Sequence, residues 1–245
     1  TKIAFIFLAF MGVVTVACIM LIVWRKPMLQ SERQIESYLS RESAFLFNNV
    51  IFLAAAFAVM FGTLFPLITE GITGQTITVG PPYFNRINLP LGLALLALMG
   101  IGPVIAWRKA SRRNLVKNFV TPTIVGIAVA LCFYLLGARQ IMALVTFGLS
   151  AFVMTVIVVE FIKGTKARSR IEGEGHLVAF FHLIGRNRRR WGGYIVHVGV
   201  VLVFTAFAGA AFDRELIQTL EPGESVTIES PLGHNYTLTY QGLSS

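Results

Sequence analysis

The sequence is poor in charged residues and rich in apolar ones. Only 13% of its 245 residues are Asp, Glu, Lys or Arg, while 55% are hydrophobic and the mean hydropathy is +0.71. Soluble globular domains carry about 25% charged residues to cover their surface. The composition therefore excludes a soluble globule and favours a protein that crosses a membrane several times.

Cysteine is scarce, and the familiar catalytic motifs are absent. Cys18 and Cys132 both fall in apolar runs, so we expect them to be small buried hydrophobes. No CxxC, CxxCH or zinc-type spacing occurs, and the chain therefore carries no motif for attaching haem covalently to itself. It also lacks a P-loop, a GxSxG motif, a GxGxxG after a strand and paired intramembrane carboxylates, which argues against an ATPase, a hydrolase or an ion pump.

Six apolar runs are long enough to cross a hydrocarbon core, which requires about 17–25 helical residues. Backbone amides inside lipid must pair within their own segment, so each run predicts a helix. The runs cover residues 3–24, 45–68, 89–107, 119–136, 141–161 and 193–212. We predict an all-α polytopic membrane protein, with a six-helix transmembrane region over residues 1–212 and the start of an extracytoplasmic β-rich domain over residues 213–245.

The basic residues predict the orientation of the spans. Seventeen of the 21 Lys and Arg lie in three segments, residues 25–44, 108–118 and 162–192. The positive-inside rule places these segments in the cytoplasm and both chain ends outside it. Because the basic residues lie between the spans, we interpret the net charge of +9 as a topology signal and not as a sign of nucleic-acid binding. Trp24, Trp107 and Trp191 fall at the cytoplasmic span ends, where an indole belt is expected.

Three connecting segments have patterns of their own. Residues 69–88, rich in Gly and Pro, predict an outer loop. Residues 176–184 place apolar side chains at helical spacing in a run too short to span, which predicts a helix along the cytoplasmic interface. After the last span, Val226 and Ile228, and then Tyr236, Leu238 and Tyr240, alternate with polar residues and predict a hairpin. The hairpin is cut off by the chain end, so we expect a piece of a longer protein. The first apolar run lacks the pattern of a signal peptide, and we therefore expect it to be a true span.

His197 is the most informative single residue. It lies near the cytoplasmic end of the last span, and ionisable residues inside spans are rare and often functional. Gly192, Gly193 and Gly199 lie near it, where missing side chains would let a flat macrocycle approach the backbone. The guanidinium groups of Arg188, Arg189 and Arg190 suit carboxylates such as haem propionates. An axial imidazole with arginines nearby predicts a haem site.

Each of these features also has a simpler interpretation. His197 could form an interhelical hydrogen bond with a Ser, a Thr or a carbonyl, and the arginines could be a topology signal alone. Glu160 could relay protons, although a pair with Lys163 or Lys166 is favoured. The remaining histidines, His176, His182 and His234, are predicted to be surface residues, and the first two lie on different faces of their helix.

Several segments in order resemble one family of membrane proteins. They are SRESAFLFNN, GTLFP, ITVGPPYFN, RRRWGGYIVHVGVVLVF and the EPGES that opens the β segment. Together they are similar to the C-terminal half of the CcmF haem lyases, which are close to the NrfE proteins. The resemblance covers nearly the whole chain, and VGPPYFN and GGYIVHVG are its more specific parts.

The resemblance implies a function in cytochrome c maturation at the bacterial cytoplasmic (inner) membrane. CcmF-like proteins take haem from the chaperone CcmE and attach it to the CxxCH thiols of apocytochrome c, which a CcmH-type protein presents. They also hold a b-type haem within the membrane, for which quinol is a suggested electron source, and His197 matches one axial ligand of that haem. The family's tryptophan-rich external motif, its flanking histidines and the second b-haem ligand are absent from this sequence. We therefore expect this chain to be inactive alone.

Two other functions remain open at this stage. A transporter or channel segment could use His197 and Glu160 as a proton path; it predicts broken helices, for which residues 100–103 are the only mid-span candidate. A scaffold that binds no haem is the other.

Overall fold

The computed structural model describes residues 2–29, 40–105, 112–213, 216–230 and 234–242. Several residues used in the topology prediction lie outside the described residues, namely Arg33, Trp107, Arg108, Lys109 and Arg214. The described residues form seven α-helices, one short 3-10 helix and a two-stranded sheet. The helices are α1 (Lys2–Leu29), α2 (Arg41–Thr73), α3 (Pro81–Ile101), α4 (Arg112–Leu135), α5 (Ile141–Glu172), α6 (His176–Arg186) and α7 (Arg188–Gly209). The 3-10 helix is Ala210–Phe212, and the strands are β1 (Ser225–Glu229) and β2 (Asn235–Thr239).

Six of the described helices, all except α6, are long and apolar enough to cross a membrane. This confirms the predicted fold class and the number of spans. The division of the chain at residues 212 and 213, and the position of the β segment outside the cytoplasm, stay predictions.

The predicted outer loop over residues 69–88 is mostly helical, so this prediction was wrong at both ends. Helix α2 continues to Thr73, where Gly74 at φ 71° ends it and donates its N–H to the carbonyl of Glu70 at 3.0 Å. Helix α3 begins at Pro81, because a proline has a fixed φ and lacks only an N–H that the first helical turn does not use. The Gly and Pro residues therefore mark two helix ends and not a long loop.

The described parts of the basic segments are also largely helical. Helix α5 runs on to Glu172 and α7 begins at Arg188, so the predicted loop over residues 162–192 consists mainly of helix ends and α6. Lys and Arg are good helix formers, so a helix can extend beyond its apolar run. The candidate break at residues 100–103 simply ends α3 at Ile101.

The described residues divide into two units, and the first comprises Thr1–Leu95 and Ile105–Ala110. Within it, α2 is capped at its start, since Ser43 donates its N–H to the Ser40 hydroxyl at 3.2 Å. Tyr83 of α3 donates its hydroxyl to the carbonyl of Ala58 at 3.2 Å. A Cβ on Gly62 would lie 2.6 Å from the Tyr83 ring, so glycine is needed where these two helices meet.

The second unit comprises Leu96–Val104 and Ser111–Ser245 and is organised around α5. Helix α5 contacts α4, α6 and α7. The core of this unit contains Leu96, Val153, Ile157, Trp191, Tyr194 and Val201. Small residues let α4 and α5 approach closely, because a Cβ on Gly126 would lie 2.7 Å from the carbonyl oxygen of Gly148.

Helix α6 forms as predicted, and part of its apolar face packs against the core of the second unit. Ala179 is fully buried, and Leu183 and Ile184 pack against the core of the second unit. Leu177 and Phe181, which belong to the same apolar set, are 79% and 68% exposed, and the position of α6 along the membrane interface stays a prediction. Helical spacing identified the apolar residues, whereas the position of α5 determined which of them are covered.

The two cysteines and Trp191 correct the expected environments. Cys18 and Cys132 are exposed on the described surface and not buried. A lipid tail is as apolar as a protein core, so an apolar residue in a span can face either one. Trp191, expected in an interfacial belt, is only 4% exposed and belongs to the core, whereas Trp24 is 71% exposed.

The hairpin forms in the predicted pattern. Strands β1 and β2 are antiparallel, with Val226 opposite Leu238 and Ile228 opposite Tyr236. The polar face carries two hydroxyl pairs, Ser225–Thr239 at 2.7 Å and Thr227–Thr237 at 3.2 Å. Residues 231–233 of the predicted turn lie outside the described residues.

Candidate functional site

His197 lies inside the apolar part of α7. The helix is capped at its start by Asn187, whose side chain accepts a hydrogen bond from the N–H of Arg190 at 3.2 Å. The imidazole is partly buried, and its Nδ1 is fully buried without a hydrogen-bond partner among the described residues. The interhelical hydrogen bond that was the simpler interpretation is therefore not formed within the described part of the chain. A buried polar atom without a hydrogen-bond partner lowers the stability of the folded protein. The position therefore favours a bound group that interacts with the imidazole nitrogens.

Aromatic side chains hold one side of His197. The Tyr194 ring meets the imidazole edge to face, with ring centroids 6.4 Å apart and planes at 88°. Tyr194 is itself 5.9 Å from Phe161, and Phe161 is 5.0 Å from Trp191, again between ring centroids. Sequence reasoning missed Phe161 and Tyr194, since nothing in their local pattern distinguishes them from other aromatic residues in spans.

The helical register separates the three glycines near His197. Gly193 lies four residues before it and on the same face, whereas Gly192 and Gly199 lie on the opposite face. A Cβ at any of the three would meet no described atom within 4 Å. Packing among the described residues therefore does not require glycine at these positions. Gly193 leaves bare backbone beside the imidazole, which fits the approach of a flat ring.

The three arginines at the start of α7 are not equivalent. Arg190 donates to the carboxylate of Glu160 at 3.4 Å and lies over the Trp191 ring, 5.1 Å from its centroid. Arg188 and Arg189 are exposed and form no ion pair with a described carboxylate. Their guanidinium groups are therefore available to an anionic group, while that of Arg190 already has a partner.

Glu160 belongs to an ion-pair network at the helix ends. Its carboxylate lies 3.3 Å from the Lys163 ammonium, which confirms the predicted pair, and Lys163 also donates to Asn118 at 2.8 Å. These contacts join α4, α5 and α7. A carboxylate held between two cations serves a structural purpose and gives no support to a proton path through Glu160.

The other histidines lie on the described surface, as predicted. His176 and His234 are exposed, and His182 Nδ1 lies 2.9 Å from the carboxylate of Glu174. Within the described ranges, no group of three or more His, Cys, Asp and Glu could hold a metal ion. An iron site on this chain would depend on His197 and on the group that carries the metal.

The sequence and the structure were compared with those of known proteins to find the family to which the chain belongs. No family model matches the chain. The chain is 28% identical to the cytochrome c-type biogenesis protein CycK of Rhizobium meliloti, over 83% of this chain and 29% of that protein. It is 29% identical to the cytochrome c-type biogenesis protein CcmF of Pseudomonas aeruginosa, over 90% of this chain and 32% of that protein. A solved structure of the cytochrome c haem lyase CcmF matches with a TM-score of 0.53 and 32% identity, over 70% of this chain and 25% of that one.

The fold and the site define a multi-pass helical membrane protein that carries a histidine inside one span. Within that class, the chain belongs to the CcmF family of cytochrome c-type biogenesis proteins. It spans about a third of the length of the curated relatives that it matches.

Proposed function

We propose that this chain is part of a membrane cytochrome c haem lyase and that His197 is one axial ligand of a b-type haem within the membrane. The observation that carries the proposal is the buried Nδ1 of His197, which has no hydrogen-bond partner among the described residues. Family membership makes haem the ligand that best fits this imidazole. The resemblance to the CcmF family implies that the second axial ligand is a residue outside this sequence.

Each residue at the site contributes something different. His197 supplies the nitrogen lone pair, and Tyr194 restricts the rotation of its ring. Gly193 leaves room beside the imidazole, and Arg188 and Arg189 bind propionate carboxylates at the membrane surface. Glu160 holds Arg190, and through it the first turn of α7. A bound b-type haem supplies one-electron chemistry at this position.

The proposed partners belong to the whole lyase. CcmE delivers the haem that is to be attached, a CcmH-type protein presents apocytochrome c, and quinol is the electron source that suits a haem within the membrane. This chain provides the membrane scaffold and half of the b-haem ligation. The covalent attachment itself depends on segments beyond this chain.

The test replaces His197 in the protein at its full natural length. We expect His197→Gly to lose the reduced-minus-oxidised absorbance of the b-type haem, because an axial bond in an apolar site has no substitute nearby. Added imidazole should restore that absorbance by occupying the space that the side chain leaves. Cytochrome c maturation should fall together with the absorbance.

The matched control is Val196→Gly, on the same helix and 64% exposed. It carries a similar helix penalty, roughly a few tenths of a kcal/mol, and should keep its haem. If His197→Gly retains the absorbance, or if imidazole does not affect a variant that is still folded, the ligand assignment is wrong.

A further inference from the structure

An open groove of about 500 Å³ lies between the second half of α5 and the start of α6. Its walls are mainly apolar and include Val158, Phe161 and Leu177. The volume is within the range of about 300–1,000 Å³ that is common for ligand sites. His197 does not line the groove, so this is a second location in the second unit.

The polarity of the groove changes along its length. Val158 and Phe161 belong to the apolar part of α5, and Thr165 and Lys166 follow about one turn later, where the membrane surface is expected. The Oγ1 atom of Thr165 is buried and has no hydrogen-bond partner among the described residues. One end of the groove therefore suits a hydrocarbon chain, and the other end suits a polar group that accepts hydrogen bonds.

The polar end has positive charge that is not compensated. The described carboxylates of this region already have basic partners: Glu160 with Lys163 and Arg190, Glu172 with Arg186 and Glu174 with Arg168. Lys166 forms no ion pair with any described carboxylate. Helix α6 begins beside it at His176 without an acidic residue or a side-chain cap in its first turn, so its free N–H groups also favour an anion.

We propose that this groove binds one anionic phospholipid, with an acyl chain along Phe161 and Leu177 and the phosphate at Lys166 and His176. The groove has the order of polarity that such a lipid has, from apolar to anionic, in the layer of the membrane where lipids are available. A zwitterionic lipid offers the same acyl chain but no net charge for Lys166. The site is therefore selective for the charge of the head group.

The test uses the full-length protein, purified in detergent and titrated with dioleoyl phosphatidylglycerol or dioleoyl phosphatidylcholine in native mass spectrometry. We expect one phosphatidylglycerol to be retained in preference to phosphatidylcholine. Lys166→Gln should weaken its retention about fivefold, which is the usual effect of one basic residue near an anionic membrane surface. Ile162→Trp, which fills the groove from its apolar wall, should weaken the retention of both lipids at this site.

The matched control is Lys26→Gln, at an exposed membrane-surface lysine on α1 that does not line the groove. Its phosphatidylglycerol retention should equal that of the unmodified protein. Elution as a single species and unchanged helical circular dichroism identify variants that are folded.

Photo-crosslinking locates the bound lipid. A phosphatidylglycerol with a diazirine on its acyl chain should label peptides from residues 158–166 and 176–180. Equal retention of the two lipids, or no effect of Lys166→Gln, would overturn the proposal. Failure of the lipid to label these peptides would also overturn the proposal. That result is expected if a quinone or another protein segment fills the groove.

Discussion

At the scale of single residues, the glycines fall into two kinds according to what a side chain would meet. A Cβ on Gly164 would lie 2.5 Å from the Trp191 ring and 3.0 Å from Leu183, whereas a Cβ on Gly12 would meet no described atom within 4 Å. Trp191 is buried against Phe161 and Tyr194 and cannot move aside freely. The same residue type therefore permits close packing at one position and leaves an open surface at the other.

We expect Gly164→Ala to destabilise the protein by about 1–3 kcal/mol, because it overpacks a core that has no space to relax. Gly12→Ala is the matched control and should be neutral or stabilising, since alanine favours a helix by about 1 kcal/mol over glycine. Thermal unfolding in detergent, followed by circular dichroism, measures both changes. Equal shifts for the two variants would show that the contact with Trp191 does not limit stability.

At the scale of elements, one carboxylate joins α5 to α6. Glu174 lies between the two helices and accepts two bonds from the Arg168 guanidinium, at 3.0 and 3.2 Å. His182 of α6 contacts the same carboxylate at 2.9 Å, and Ser169 donates to the Glu174 carbonyl at 2.7 Å. The Arg168 guanidinium, followed by His182, holds the pKa of Glu174 below its ordinary value of 4.5.

From these contacts of Glu174, which we call the Glu174 clamp, we predict that the protein loses stability in acid. The folded-state pKa of Glu174 is lowered, so its contribution is complete above 4.5 and is lost as the pH falls below that value. We expect the thermal midpoint to decrease over this acid range, and Glu174→Gln should lower the midpoint at neutral pH and flatten the decrease. Glu172→Gln is the control, because Glu172 makes only an exposed pair with Arg186 at 3.5 Å and should change the profile little. An unchanged pH profile in Glu174→Gln would exclude the clamp as its source.

At the scale of the whole molecule, the distribution of basic residues predicts the orientation. Positive-inside places the ends of α1, α3 and α5 in the cytoplasm and the connection between α2 and α3 outside it. In this orientation α6 and the lipid groove face the cytoplasmic leaflet, and the hairpin of β1 and β2 lies outside.

Cysteine labelling in intact cells tests this orientation. In the full-length protein with Cys18 and Cys132 replaced by alanine, a membrane-impermeant maleimide should label Gln75→Cys and Gln218→Cys. Ile171→Cys, which is 80% exposed at the end of α5, should react only after the cells are lysed. Labelling of Ile171→Cys in intact cells would reverse the predicted orientation.

Much of this protein could be predicted from sequence because membrane spans are local features. The length of an apolar run and the charges at its ends are properties of one segment, and lipid requires that segment to be a helix. The number of spans, the pair of Glu160 with Lys163 and the alternation in the hairpin were therefore predicted correctly. His197 was singled out for the same reason, since an ionisable residue in an apolar run is visible in the sequence alone.

Only the tertiary structure decided which apolar surfaces are covered and which cations have partners. Hydrophobicity does not distinguish a lipid-facing residue from a core residue, so the burial of Trp191 and the exposure of Cys18, Cys132 and Leu177 could not be predicted. Arg190 is joined to Glu160 of α5, while Arg188 and Arg189 form no ion pair with a described carboxylate. Such pairings depend on contacts between segments that are distant in sequence, and the packing of the helices determines them.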